Sequence, residues 1–193
     1  MLFPLLSWAL LAPQAAADDA RAGDLVNTQV VAASPAGMVD VLIDLPTFGR
    51  LLPPDCVGYF KVGLTPKGLG AQATVRYDMA AMHRKLELTV SRIERDEMWM
   101  VDMNHAGNRG FISRWVMVPG ADGTAVTLKT PLNAPPWPFA GYFFDTVHPE
   151  WEGCQDRMIT AVAAEALRLT PPVVEPAPTV VPEAVLGEPP PAG

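Results

Sequence analysis

Few side chains in this sequence combine a type and a position suited to chemistry. His105 shares the strand parity of Trp99 and Met103, so its imidazole would face the same side of a sheet and could donate a hydrogen bond or act as a general acid or base. Arg109 and Arg114 could meet an acidic head group of a ligand. The alternatives are that His105 lies at a strand end, half in solvent, and that Arg114 faces water.

Other kinds of reactive site lack the partners they need. Ser113 has inward parity, but no triad can be drawn around it. His148 and Glu150 are metal-ligating types without partners at ligand spacing. Gly68 and Gly70 fall in a turn between two strands rather than before a helix, so they are not a dinucleotide loop. We therefore expect no metal, no cofactor and no catalytic residue.

The composition favours a globular domain with an apolar interior. The chain has 193 residues, enough for one domain with tails, and is 49% hydrophobic and 18% charged. Its net charge is −7 and it has no run of Lys or Arg, which argues against a nucleic-acid partner. The nine methionines suit an adaptable apolar lining, or simply a core that contains Met.

Both ends of the chain differ from its middle. Residues 1–17 predict a signal peptide cleaved after Ala17, because an apolar run too short to span a bilayer precedes small residues. We therefore expect an exported protein, either periplasmic or secreted. The segment before the apolar run has no Lys or Arg, which favours the alternatives of an uncleaved anchor or a wrongly chosen start codon. Residues 18–24 are predicted to be flexible, and residues 170–193, with eight prolines, a disordered tail.

The elements that must position the candidate residues follow a definite order. A strand over Val26–Ala33 leads into two short helices, the first with Ser34 as N-cap, and Pro46 is expected to end that first helix. Several segments then alternate apolar and polar residues, as strands of a sheet with one wet face do. A proline-rich and aromatic connector over 131–144 precedes a long helix from about Pro149 to Leu169.

This order predicts a cavity. An antiparallel sheet that receives its main helix last must wrap around the helix to bury it, which leaves room between them. The concave face should also carry Val126 and Leu128, and the connector adds Trp137, Phe139 and Phe144 as part of a gate. The predicted ligand-binding residues are Leu88, Val90, Trp99, Val101, Met103, His105, Trp115, Met117, Tyr142, Phe143, Met158 and Val162. The alternative is that these residues simply pack against the helix.

Three segments carry a resemblance to a known superfamily. They are VVAASPAGMVDVLIDLPTFGRLLP, WVMVPGADGTAVTLKT and MITAVAAEAL. Together they resemble the START-like, Bet v 1-type helix-grip (SRPBCC) superfamily over residues 25–169, especially its bacterial polyketide cyclase/dehydrase and lipid-transport branch. The resemblance implies an α+β fold in which a seven-stranded antiparallel sheet wraps a long C-terminal helix, with two short helices after the first strand. It also implies an apolar cavity for lipids, quinones, sterols or aromatic polyketides, and only sometimes catalysis.

The two cysteines, Cys56 and Cys154, permit a disulfide in an oxidising compartment. Cys56 should follow the helix pair, and Cys154 should lie near the start of the long helix. In the expected fold these positions lie toward opposite ends of the domain, so two separate buried thiols are the favoured interpretation.

Three functions remain open on the sequence. The favoured one is binding, with possible transport, of a hydrophobic small molecule or lipid without turnover; transient membrane contact is compatible with it. The alternative is a cyclase or aromatase that uses the same cavity, with His105 and Arg109 as its reactive residues. The third is an interaction module with a filled core. The sequence does not give the oligomeric state.

Overall fold

The architecture is a seven-stranded sheet that packs against one long helix. The computed structural model describes residues 24–79, 82–96, 98–107, 111–132 and 140–170. The strands are β1 (Asp24–Val31), β2 (Val57–Val62), β3 (Gln72–Met79), β4 (Met82–Arg95), β5 (Trp99–Ala106), β6 (Phe111–Gly120) and β7 (Gly123–Pro131). The helices are α1 (Pro35–Ile43), α2 (Leu45–Leu51), the single turn α3 (Ala140–Tyr142) and α4 (His148–Leu169), with a π-helical segment at Phe143–Val147 before α4.

The strands form one antiparallel sheet in the order β1-β7-β6-β5-β4-β3-β2. The first strand, β1, is an edge strand and pairs with the last strand, β7. The segment that contains α1 and α2 then connects β1 to β2 at the opposite edge of the sheet. The curled sheet buries one face of its central strands against α1 and α4. The predicted seven-stranded helix-grip fold, with two short helices after the first strand, is confirmed.

Capping residues set the limits of the two short helices. The Ser34 hydroxyl accepts a hydrogen bond from the Gly37 N–H at 3.2 Å and so begins α1. Asp44 leaves helical geometry, and its carboxylate accepts from the Thr47 N–H at 3.1 Å to begin α2. Pro46 therefore lies in the first turn of α2, where its missing N–H costs nothing, and the expectation that it ends α1 was wrong in this detail.

A bulge in β4 adjusts which side chains reach the concave face. The register shifts between Val90 and Arg92, so that Val90 pairs with Met103 while Ile93 pairs with Val101. One extra residue, Ser91, is accommodated there, and its hydroxyl donates to the Asp102 carbonyl at 3.2 Å. The bulge lets the 14-residue strand bend while its apolar residues stay on the inner face.

The structure joins Cys56 and Cys154 in a disulfide, so the expectation of two separate thiols was wrong. The Cα atoms lie 6.2 Å apart, because the turn after α2 folds directly beneath the first half of α4 instead of lying at the far end of the domain. Arg157, one turn after Cys154, donates to the Asp55 carboxylate at 2.8 Å in the same turn. The bridge therefore fastens the long helix to the segment that leads into β2.

Several predicted features lie outside the described residues. These are the signal peptide, most of the flexible N-terminal segment, the proline-rich tail beyond residue 170, Arg109, and the connector residues Trp137 and Phe139. None of the helices in the described ranges combines the length and the apolar character needed to cross a bilayer.

Candidate functional site

The inner face of the sheet forms the first wall of the candidate site. Period-two alternation places Leu88, Met103, Trp115 and Leu128 on one face of four adjacent strands, and all four are buried. The strand register brings them into rows: Trp115 pairs with Leu128, and Leu88 pairs with His105. The wall is therefore a continuous apolar surface that the paired backbones hold in place.

Two helices form the opposite wall. Trp151 and Met158 lie two turns apart on the buried face of α4, and Phe48 comes from α2. The Phe48 ring meets Trp115 edge to face, with centroids 6.4 Å apart. The Trp151 ring contacts Tyr77 at a centroid distance of 5.0 Å, which ties α4 to β3.

A cavity of about 20 Å³ lies between these walls. Space of this size holds about one water molecule. Its lining residues are Phe48, Tyr77, Leu88, Met103, His105, Ser113, Trp115, Leu128, Thr130, Trp151 and Met158. The interior between the sheet and the helix is thus closely packed in this conformation, with a small space where apolar and polar side chains meet.

An aromatic cluster holds His105 at one side of the cavity. The imidazole stacks on Phe111 with centroids 4.4 Å apart, and its Nδ1 lies 3.4 Å from the Tyr77 hydroxyl. Burial lowers the pKa of His105 to about 3 and raises the pKa of the Tyr77 phenol. Both side chains are therefore uncharged at neutral pH, and the tautomer of His105 decides which of the two donates the hydrogen bond.

A second set of polar side chains forms a hydrogen-bonded chain from the sheet to the long helix. The hydroxyls of Ser113 and Thr130 lie 3.2 Å apart on neighbouring strands, and the Gln155 Nε2 donates to Thr130 Oγ1 at 2.9 Å. All three side chains are buried. Two buried atoms nearby, Trp151 Nε1 and Gln155 Oε1, have no hydrogen-bond partner among the described residues. The cavity thus has one end that can still form hydrogen bonds.

Five predicted ligand-binding residues line the cavity: Leu88, Met103, His105, Trp115 and Met158. Five more are buried in the core beside it: Val90, Val101, Met117, Phe143 and Val162. Trp99 is half-buried, and Tyr142 is 53% exposed. Contact of these twelve residues with a ligand stays a prediction.

The polar side chains around the cavity are the main feature that the sequence did not reveal. Tyr77, Thr130 and Gln155 were not predicted as site residues, and Ser113 was considered only as a nucleophile. For Tyr77, Ser113 and Thr130 the strand alternation was the available signal, because each has the parity of buried neighbours. Gln155 follows Trp151 by four residues and therefore shares its buried helix face.

Ionic groups near the site face away from the cavity. Asp102 pairs across the strands with Arg114, whose Nε and Nη2 donate to the two carboxylate oxygens at 2.8 and 3.0 Å. This pair has the strand parity opposite to Met103 and lies on the outer face. Among the cavity-lining residues that the structure describes there is no Lys, Arg, Asp or Glu, and in the described ranges no cluster of His, Cys, Asp or Glu could hold a metal ion.

Comparison with known proteins gives similarity in structure only. No family model matches the sequence, and no curated protein matches it either. Among solved structures, the KanY protein matches with a TM-score of 0.61 at 20% identity, covering 74% of this chain and 96% of its own. The Zhui aromatase/cyclase from Streptomyces sp. R1128 matches with a TM-score of 0.57 at 15% identity, covering 75% of this chain and 93% of its own.

A plant enzyme shares the same fold. The norcoclaurine synthase of Thalictrum flavum matches with a TM-score of 0.51 at 15% identity, covering 76% of this chain and 94% of its own. At these identities the likeness shows the fold alone. The chain has the helix-grip fold that the sequence resemblance predicted.

Proposed function

We propose that this helix-grip protein binds an apolar small molecule or lipid between its sheet and α4 without turning it over. The observation that carries the proposal is the buried cavity, where apolar residues from four strands and two helices surround a small polar end. Removing the apolar surface of a ligand from water would drive binding, by about 25 cal/mol per Å² before ordering costs.

The size of the cavity sets a condition on this function. Since a space of about 20 Å³ admits no more than about a water molecule, a ligand must displace side chains as it enters. Met103 and Met158 lie on opposite walls, and methionine is the apolar residue that repacks most easily because its chain is unbranched. We therefore propose a cavity that widens around its ligand rather than one that is open beforehand.

The protonation state of His105 supports binding over turnover. With a pKa of about 3, the imidazole is a weak base at neutral pH and carries no proton that it can readily donate as an acid. The other cavity-lining polar groups in the described chain are three hydroxyls and two indoles, and the hydroxyls form hydrogen bonds with His105, Gln155 and each other. Nothing in this set is activated for general acid–base work.

A binding titration with a matched pair of variants tests the proposal. The neutral fluorescent probe N-phenyl-1-naphthylamine should bind the wild-type protein, and Met158→Trp should weaken that binding at least tenfold by filling the cavity. Met98→Trp is the matched control, because Met98 is 45% exposed and the same change there should leave affinity unchanged. Circular dichroism confirms that each variant is folded at the temperature used.

Native mass spectrometry of the purified protein gives the second measurement. A lipid or other apolar mass that copurifies with the wild type and is lost in Met158→Trp would support the proposal. A protein that carries no such mass and binds neither the probe nor lipid would overturn it, as would equal probe affinity in wild type and Met158→Trp.

A second candidate function is catalysis of the cyclase or aromatase kind. The observation that favours it is the buried contact between Tyr77 and His105 at the cavity, in a fold shared with the Zhui aromatase/cyclase. The other residue expected for such a reaction, Arg109, lies outside the described residues. Turnover of a polyketide-like substrate that is lost in His105→Ala would support this alternative, and unchanged turnover would remove its main residue.

We also propose that the protein functions outside the cytoplasm. The buried Cys56–Cys154 bridge supports this, because structural disulfides persist in oxidising compartments. The signal peptide predicted over residues 1–17 is the sequence basis of the same proposal. Transient contact with a membrane, from which an apolar ligand would be taken or to which it would be delivered, is compatible with this location.

A further inference from the structure

The hydrogen-bonding groups at the polar end of the cavity indicate which chemical class of ligand would bind there. Trp151 lines the cavity and is 2% exposed, and its indole N–H finds no acceptor in the part of the chain that the structure describes. Buried N–H groups are nearly always paired, so one left without an acceptor is costly and calls for an explanation. Its ring is held in place by Tyr77 at 5.0 Å and Phe111 at 6.2 Å, which fixes where the N–H lies.

The chain of Ser113, Thr130 and Gln155 holds a second spare donor. If Gln155 Nε2 donates to Thr130, the hydrogen bond between the Ser113 and Thr130 hydroxyls uses the hydrogen of only one of them. The hydrogen of the other hydroxyl then has no acceptor within this chain of three residues. If the amide is reversed, Thr130 donates to it, Ser113 donates to Thr130, and the Gln155 amide N–H is left over. Either arrangement leaves at least one donor beside the cavity, one helical turn from Trp151 or on the strands facing it. In the first arrangement Gln155 Oε1 is also left as an acceptor, which a ligand oxygen does not use.

The same end of the cavity offers nothing to balance a negative charge. The lining residues in the described ranges include no Lys or Arg, and burial holds His105 uncharged with a pKa of about 3. An anionic head group placed here would be buried without a counter-ion, at a large cost. A neutral ligand oxygen would instead accept hydrogen bonds from the two donors, the Trp151 indole N–H and the spare donor of the Ser113–Thr130–Gln155 chain.

We propose that the ligand is an uncharged apolar molecule with a carbonyl oxygen, which accepts hydrogen bonds from the Trp151 indole N–H and from the Ser113–Thr130–Gln155 chain. This inference rests on the proposed function, and it adds the chemical class of the ligand. The apolar part of the ligand would lie along Leu88, Met103 and Leu128, which line the same space.

A pair of probes that differ in one carbonyl tests the inference. Fluorenone and fluorene have nearly the same shape, and only fluorenone carries a carbonyl oxygen. Displacement of N-phenyl-1-naphthylamine should show fluorenone binding about tenfold more tightly than fluorene, as one or two net hydrogen bonds allow. The carboxylate of fluorene-9-carboxylic acid should bind more weakly than fluorenone.

The variant Trp151→Phe isolates the indole N–H. It should weaken fluorenone binding about tenfold while changing fluorene binding less than twofold, since the phenyl ring keeps an apolar wall. Tyr59→Phe is the matched control, because it removes one donor from a side chain that is 42% exposed and outside the cavity lining, and it should change neither affinity. A readout that needs no variant is the assigned Trp151 indole N–H signal in NMR, which should move further downfield with fluorenone than with fluorene.

The outcomes separate the two proposals. Equal affinities for fluorenone and fluorene, or an equal loss of both in Trp151→Phe, would overturn the carbonyl inference and leave apolar binding standing. Tighter binding of the carboxylate than of fluorenone would also overturn the inference. If no compound of the set binds the wild-type protein, the proposed function fails and this inference fails with it.

Discussion

His105 is the residue whose protonation is most strongly changed by burial. Its imidazole is 2% exposed, stacks on Phe111 and meets the Tyr77 hydroxyl, with Trp151 closing the same aromatic cluster. The cluster includes no described carboxylate, so nothing offsets the cost of charging the ring. A residue that would be a pH-responsive group on a surface is here a neutral part of the core.

The lowered pKa of His105 predicts a pH dependence of stability. In the unfolded chain the imidazole takes up a proton as the pH falls below about 6.5, whereas the folded protein resists this until about pH 3. Protonation therefore favours the unfolded state, and stability is lost as pH falls through this window. Between pH 7.5 and pH 5 the loss attributable to this group should be about 2 kcal/mol.

Urea unfolding at several pH values measures this loss. His105→Gln has no titrating ring, so its free energy of unfolding should fall less than that of the wild type over the same range. The difference between the two curves removes contributions from carboxylates, which both proteins share. Parallel curves would show that the imidazole is not held neutral by burial.

Strand alternation was enough to identify the apolar side chains of the site, but it does not indicate the hydrogen bonds between the polar ones. Leu88, Met103 and Trp115 were predicted because apolar residues at every second position indicate the buried face of a sheet. Thr130 shares the parity of its buried neighbours, but its hydrogen bond to Gln155 joins β7 to α4, and the two residues are 25 positions apart in the chain. No local pattern in the sequence signals a hydrogen bond of that kind.

At the scale of elements, regular strands and the long helix were predictable, and the local irregularities were not. The buried positions of β3 alternate strictly, and those of β7 depart from alternation only at Thr127, which is buried between Val126 and Leu128. The bulge at Ser91 and the π-helical segment before α4 depend on how the sheet bends and how α4 docks. Both are imposed by tertiary packing, so hydrophobic period alone does not reveal them.

The disulfide was missed for the same kind of reason. Placing Cys56 after the helix pair and Cys154 early in α4 was right, but the distance between them depends on how far the sheet curls. The curl brings the turn at Asp55 beneath Arg157, which places the two cysteines within bonding distance. Order along the chain does not contain that information.

The Cys56–Cys154 bridge should contribute strongly to the stability of the docked α4. The two residues are 98 positions apart, and closing a loop of that length stabilises a protein by about 4–5 kcal/mol in the chain-entropy model. We expect the double variant Cys56→Ala, Cys154→Ala to lose stability of that order in urea unfolding. Dithiothreitol should lower the stability of the wild type toward that of the variant.

The double variant also serves as the control for dithiothreitol, since its own unfolding should not change with the reagent. A wild type that is indifferent to reduction, with two thiols titrating in the denatured and unreduced protein, would show that the bridge does not form.

At the scale of the whole molecule, the proposed export predicts a shortened chain. The protein recovered from the periplasm or medium of a bacterial host should begin at Asp18, because the small residues up to Ala17 form the expected cleavage site. N-terminal sequencing and intact mass measure this directly. A mature chain that begins at Met1, or one found only inside the cytoplasm, would contradict the proposal.

The position of the bridge also limits how a ligand can exchange. Cys154 lies between Trp151 and Met158, the two α4 residues that line the cavity, so the helix is covalently anchored at the middle of the surface it contributes. A hinged lifting of the whole helix is therefore not a route for entry. The residence time of a ligand would instead depend on rotamer changes of the side chains around the cavity. Ligand dissociation rates measured before and after reduction of the bridge would show how far the anchored helix limits exchange.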